Sequence, residues 1–278
     1  MSENLELDEP DVLDVTYDPV AGATSVSKLK KMGTCGRQFK FRYVEKVEEE
    51  PAGALAFGKA VHETVEAIHK NKLFGAMDWY PVWAENWARH QQEVDWSAEG
   101  FKKTRYKTYN EMGPNFFSKY VQSAKLAVVI GSEIRFPTDD ESRQFYIGKH
   151  PIMGYIDQVR RLPDGRLLVV DFKTGKNPPD DDILRTDPQF TFYWWVVKQI
   201  YGEDPLLCWW HVKTNKPYFT KRTLDDLVPV IEMLDECKQK AELAMYGRNF
   251  GYHCGWCQYR HSCLKQDDLV DATEIPVL

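Results

Sequence analysis

The order of apolar and polar positions divides the chain into helices, then strands, then helices again. Ser25 or Ser27 caps a predicted first helix that runs to about residue 43. Val61, Val65 and Ile68 fall on one stripe of a second helix, residues 53–69. Residues 77–130 read as an aromatic-rich helical insertion, broken at Gly100 and at Gly113-Pro114. Strands follow at about 133–136, 145–149, 155–162 and 166–172. Apolar and polar residues alternate over 155–162, Pro163-Asp164-Gly165 supplies a turn, and 166–172 is rich in Leu and Val. Leu167 to Val170 is apolar without alternation, the pattern of a strand buried on both faces. A helix over 189–201, a hairpin over 206–223 turning at Thr214-Asn215-Lys216-Pro217, and a long helix over 224–246 complete the regular structure. Strands flanked fore and aft by helices predict an α/β domain without internal repeats.

The hairpin of 155–172 carries the first candidate chemistry. Asp157 lies early in its first strand and Asp171 late in its second, so antiparallel pairing brings both to the same end. Asp171 and Lys173 are two apart and share a face. A charged pair ending an apolar strand needs a partner or an ion. Two carboxylates and a lysine can hold a divalent cation and activate a water against a phosphodiester, and hard oxygen donors select Mg²⁺ or Mn²⁺. A surface ion pair is the simpler alternative. Glu133, on the preceding predicted strand, is an optional further ligand.

The second constellation is built from thiols. Of six cysteines, Cys254-x-x-Cys257 and Cys263 have ligand spacing within a short aromatic and basic loop. Three clustered thiolates want a fourth ligand. Cys35 supplies it if the group is a [4Fe–4S] cluster; His261 or His253 supplies it if the group is a local zinc site. Cys208, in an apolar strand, and Cys237, in a helix, read as ordinary buried thiols. The N-terminus is acidic rather than basic and then apolar, so a reducing compartment and no disulfide framework are expected.

Taken in order, these residues resemble a known family. Cys35, Gly58-x-x-x-His62, Gly154-x-x-Asp157, Asp171-x-Lys173, Gln189-x-x-x-Tyr193 and Cys254-x-x-Cys257-x-x-x-x-x-Cys263 follow the sequence of motifs in iron–sulfur nucleases of the PD-(D/E)xK superfamily. The RecB/AddB-type nuclease domains and the related CRISPR-associated exonucleases are most similar. One departure is visible, since Ile156 stands where the superfamily's name has proline. The resemblance implies a restriction-endonuclease-like mixed sheet flanked by helices, with an iron–sulfur subdomain built from both ends of the chain. It implies that His62, Asp157, Asp171 and the Phe172 carbonyl ligate Mg²⁺ or Mn²⁺. Lys173 would polarise the attacking water, Gln189 and Tyr193 would help place Lys173 or DNA, and Cys35, Cys254, Cys257 and Cys263 would hold a [4Fe–4S] cluster. The implied activity is DNA exonuclease action on single strands or ends, in recombination, repair or replication. The setting would be the cytoplasm of a microbial cell or phage-infected host, with recombination or replication proteins as further partners. A structure-specific endonuclease and a non-catalytic nucleic-acid-binding module are the alternatives. The expected organisation is an acidic disordered tail over 1–24, one nuclease domain over 25–268 with a cluster loop at 247–268, and a second tail over 269–278.

Charge modifies this picture only at first sight. The formal net charge of −6 is unusual for a DNA binder, but residues 1–18 hold seven acids and no base, and setting them aside leaves +1. Lys28, Lys30, Lys31, Arg37, Lys40 and Arg42 form one basic cluster, and Lys102, Lys103, Arg105 and Lys107 another. No apolar run is long enough to span a membrane. Thr174-Gly175-Lys176 lacks the upstream glycine of a P-loop, so ATP hydrolysis is not expected. No helix-turn-helix reader is evident, which favours end- or structure-directed cleavage over base-specific cleavage.

Overall fold

Apolar residues on both faces of a central sheet make this a three-layered protein. The computed structural model describes residues 22–49, 52–96, 102–137 and 143–264. The expected acidic tail and the 269–278 tail lie outside the described residues, as does the Gly100 break.

The chain opens with a short strand β1 (Thr24–Ser25) and helix α1 (Val26–Thr34), capped by Ser25, whose side chain accepts from the Lys28 N–H. The expected single helix to residue 43 is interrupted. Cys35 is extended, and α2 (Gly36–Phe39) and a π turn (Lys40–Val44) follow. Three helices form one layer: α3 (Gly53–Lys70), α4 (Tyr80–Gln91) and α5 (Lys102–Ala124). Gly113-Pro114 does not break α5. Gly113 is a packing residue instead, because a Cβ there would overlap the Trp83 indole.

The sheet comprises β2 (Val128–Phe136), β3 (Phe145–Ile147), β4 (His150–Arg161), β5 (Leu167–Lys173), β6 (Leu206–His211) and β7 (Lys216–Thr220), with β1 at its margin. β4 pairs antiparallel with β2, β3 and β5, while β5 pairs parallel with β6. The parallel connection is made by α6 (Asp181–Thr186), which periodicity did not predict, and α7 (Pro188–Tyr201). After β7, a single 3₁₀ turn leads into α8 (Leu227–Glu242), and α9 (Arg260–Leu264) follows the cysteine loop.

β5 shows how the layers are built. Leu167 and Val169 enter a core with α1, α7 and α8 (Leu29, Phe190, Trp194, Leu234). Leu168, Val170 and Phe172 enter the opposite core with α3, α4 and α5 (Val61, Trp83, Phe117, Tyr120). The period of two sends alternate side chains to opposite layers, so the run without alternation is buried on both faces as expected. This is a mixed sheet flanked by helices. No helix among the described residues is long and apolar enough to cross a membrane.

Candidate active site

Strand pairing sets the site. Gln158 lies opposite Val170 in the β4–β5 ladder, so Asp157 and Asp171 meet one step further along. The Phe172 N–H donates to Asp157 Oδ2 at 2.7 Å. Asp171 is 2% exposed, and its two oxygens have different neighbours. Oδ1 accepts from Gln189 Nε2 at 3.1 Å. Oδ2 lies 2.8 Å from Lys173 Nζ, close enough for charge attraction but without hydrogen-bond alignment. Lys173 Nζ donates to Gln189 Oε1 at 2.6 Å and sits 5.5 Å over the Trp209 ring.

Gln189 therefore ties the charged pair to α7. Its Nε2 also donates to Tyr193 Oη at 2.6 Å, the two residues lying one helical turn apart. Asp187 caps α7 by accepting from the Gln189 N–H at 2.9 Å, and it pairs with Lys30 of α1 at 2.8 Å. Buried Arg222 donates to the Leu184 and Asp187 carbonyls. The start of the helix, and with it the aim of Gln189, is thereby fixed from two sides.

Electrostatics follow from burial. Burial pushes the Asp171 carboxyl up, and the Asp157 charge adds to this against the pull of Lys173. Burial alone would lower the Lys173 pKa, but the Asp171 and Asp157 carboxylates outweigh it and raise it. Lys173 is thus an ammonium. Burial and the same carboxylates push the Tyr193 phenol well above its ordinary value.

α3 brings His62 in from the other layer. Its close approach to the turn after β5 is visible at Gly58, where a Cβ would meet Thr174 Oγ1 at 3.4 Å. His62 Nδ1 lies 3.5 Å from Asp157 Oδ2 and 3.9 Å from Glu133 Oε1. Burial would lower its pKa, but Asp157, Glu133 and Asp171 overcome this and raise it to about 10. His62 Nε2 lies 3.2 Å from the Phe172 carbonyl oxygen. One nitrogen of His62 and one oxygen each of Glu133 and Asp157 lie within 4.8 Å of one another. His62 and Glu133, with Lys59, Glu63, Glu66 and Thr174, line an open cavity of about 500 Å³ beside this group.

A separate site lies at the junction of the chain's two ends. Cys35, between α1 and α2, is buried, and it lines one cavity together with Cys254, Cys257 and Cys263. The approach is close. A Cβ on Gly36 would come within 3.0 Å of Tyr246 Cα, the Arg37 N–H donates to the Gly247 carbonyl at 3.1 Å, and the Asn249 N–H lies 3.4 Å from Cys35 Sγ. Burial raises the Cys257 thiol, and Cys263, Cys254 and Cys35 raise it further as neighbouring negative charges. His253 Nε2 is engaged by the Asn249 carbonyl at 2.7 Å. Cys208 and Cys237 are buried in β6 and α8, away from this cavity.

The structure adds residues that periodicity passes over. Arg160 is 2% exposed. It donates to Gln158 Oε1 and Tyr120 Oη, and its guanidinium lies 5.6–5.9 Å from the rings of Tyr120, Phe172 and Trp210. It packs beneath the residue whose carbonyl faces His62. In an alternating strand a charged residue reads as solvent-facing, which conceals it. The N-terminal basic cluster is largely neutralised within the fold: Lys30 pairs with Asp187, Lys31 and Arg42 with Glu49, and Lys40 with Glu45. The side chains of Lys102, Lys103 and Arg105 lie outside the described residues.

The chain adopts the fold of a putative exonuclease from Eubacterium rectale, with a TM-score of 0.51 at 14% identity, covering 98% of this chain and 97% of that one. A second solved structure, SSO0001, is 15% identical over 88% of this chain and 96% of its own, with a TM-score of 0.33. No curated protein matches. Residues 23–264 match the PD-(D/E)XK nuclease superfamily. That span takes in the paired carboxylates, the lysine beside them and all four cavity cysteines, and the chain belongs to this superfamily of nucleases.

Proposed function

We propose that this protein is a divalent-metal-dependent deoxyribonuclease of the RecB-like branch, an exonuclease hydrolysing single-stranded DNA or DNA ends in recombination, repair or replication. One observation carries the reading. Asp157, Asp171, Lys173 and His62, drawn from two strands and a helix, form one continuous set of contacts beside an open cavity.

The donor set fits a hard divalent cation. It offers two carboxylates, the Phe172 carbonyl and one imidazole, and the buried Asp171 Oδ2 lacks an aligned hydrogen bond. When bound, Mg²⁺ or Mn²⁺ supplies Lewis acidity that acidifies water and offsets phosphate charge. The chain's own groups do the rest. Lys173, kept cationic by Asp171, faces the charge that develops on the scissile phosphate. Gln189 holds the ammonium in place by its carbonyl and Asp171 by its amide, so neither needs to reorganise during reaction. Tyr193, protonated at all ordinary pH, steadies the Gln189 amide.

The four cavity cysteines support a [4Fe–4S] cluster in this reading. Four Cys is the ligand set such a cluster takes. Cys35 and the three cysteines of the C-terminal loop line one cavity, drawn together from the two ends of the domain. A link from Cys35 to Cys254 closes nearly the whole domain into a loop, which stabilises by up to about 5 kcal/mol on a chain-entropy estimate. The cluster's role is therefore that of a staple.

The test incubates wild type and Lys173→Ala with linear single-stranded, linear double-stranded and closed circular DNA in Mn²⁺ or Mg²⁺. Loss of linear substrates to wild type alone, with circles spared, is expected. Equal cleavage by both proteins refutes the catalytic site, and cutting of closed circles refutes a strict exonuclease.

A further inference from the structure

Glu133 is a charged group of the cleft that stands next to His62 and to which the nuclease reading assigns no task. It lies in β2 between two ladder pairs, Ser132 with Gln158 and Ile134 with Ile156, and so stands across from Asp157. Its φ is +48°, a left-handed conformation that a glutamate rarely adopts and that is costly within a strand. The register of β2 against β4 also shifts just upstream, between Val129 and Gly131. The irregular backbone accompanies a specific placement: the carboxylate lies 3.9 Å from His62 Nδ1 and in one ligand group with His62 and Asp157.

The other carboxylates of the site have partners within it. Asp171 is engaged by Gln189 and Lys173, and Asp157 Oδ2 accepts from the Phe172 N–H. Among the described residues, the ion-pair partner of Glu133 is His62 alone. Glu133 also lines the open cavity beside His62.

We propose that Glu133 is a direct carboxylate ligand of the divalent cation, closing a three-sided holder with His62 and Asp157 on the open side of the cleft. The proposal rests on the metal-dependent nuclease reading. It goes beyond it by adding a third anionic oxygen donor, from a different strand, to the Asp157–Asp171 pair. A hard cation such as Mg²⁺ or Mn²⁺ suits that set.

The test measures Mn²⁺ binding to the full chain directly, from loss of the free-ion EPR signal. It compares wild type, Glu133→Gln, Glu133→Gly and Asp157→Asn. Glu133→Gln should weaken Mn²⁺ binding about tenfold or more, the scale of losing a group that supports a metal. Glu133→Gly removes the same carboxylate while relieving the positive φ, so it should melt no lower than wild type in EDTA yet bind Mn²⁺ as weakly as Glu133→Gln. Affinity within twofold of wild type in either Glu133 variant, with Asp157→Asn impaired, overturns the proposal and leaves the nuclease site standing. Wild-type affinity in Asp157→Asn overturns the underlying site itself.

Discussion

Replacing Gln189 with methionine, which keeps length and flexibility but removes both polar atoms, isolates what the side-chain amide does. Three hydrogen bonds disappear: to Lys173 Nζ at 2.6 Å, to Asp171 Oδ1 at 3.1 Å and to Tyr193 Oη at 2.6 Å. The 2.8 Å contact of Lys173 with Asp171 survives, so the ammonium stays in the site but is free to move. A hydrogen bond to a charged group is worth about 1.5–3 kcal/mol. If that amount is lost from the transition state, kcat falls about 10- to 150-fold. KM should change little, because the Gln189 contacts lie within the protein. Tyr193, 4% exposed, loses its Gln189 partner, and leaving such a hydroxyl unpaired costs about 1–3 kcal/mol of stability. Initial rates on linear single-stranded DNA in saturating Mn²⁺ give the first quantity and urea unfolding the second. Gln189→Glu separates donor from acceptor. It can still accept from Lys173, but it cannot donate to Asp171 or Tyr193 and places a second anion beside Asp171. Its kcat should fall as well. A kcat within twofold of wild type in both variants refutes the positioning role.

Other consequences are equally direct. Gly113→Ala should destabilise the protein in urea unfolding, because overlap with Trp83 costs about 1–3 kcal/mol whereas the gain in helix propensity is about 1 kcal/mol. His69 has its pKa lowered from 6.5 to about 4, first by burial and then by Arg160. Between those values the unfolded chain binds the proton and the native one does not, so stability is lost as pH falls from about 6.5 to about 4. His69→Gln should show a shallower loss over that window in unfolding curves. Cys35→Ser, purified anaerobically, should lose iron to the same extent as Cys257→Ser. Full iron content in Cys35→Ser would place the fourth ligand elsewhere, and zinc in a colourless wild type would reject the cluster.

Much of this arrangement was legible before any coordinates. The Asp157–Asp171 convergence needs only a hairpin of known register sense, and the hydrophobic run before Asp171 announces a strand buried on both faces. The spacing of Gln189 and Tyr193 places them on one helical face, but not against Lys173; that depends on how α7 packs onto β5. His62 shows the limit more sharply, since one histidine on an amphipathic helix carries no local sign of what it will meet. Gly113-Pro114 misled because both residues are punctuation in isolation, whereas here the glycine makes room for an indole. The break at Cys35 was missed for the opposite reason: the helical pattern continues through it, and only contact with residues 246–249 requires the chain to turn there. Arg160 was hidden because burial of a guanidinium among three rings is a tertiary property. The unusual backbone of Glu133 has no counterpart in propensity.

The central claim is that His62, Asp157, Asp171 and the Phe172 carbonyl surround one divalent cation beside Lys173. Anomalous diffraction from crystals soaked in Mn²⁺ tests it most directly. The account predicts a manganese peak at coordination distance from the Asp157 and Asp171 carboxylates and the His62 imidazole, with the Lys173 ammonium close by but not bound to it. A manganese peak elsewhere on the molecule, with those four groups left unliganded at saturating Mn²⁺, contradicts it.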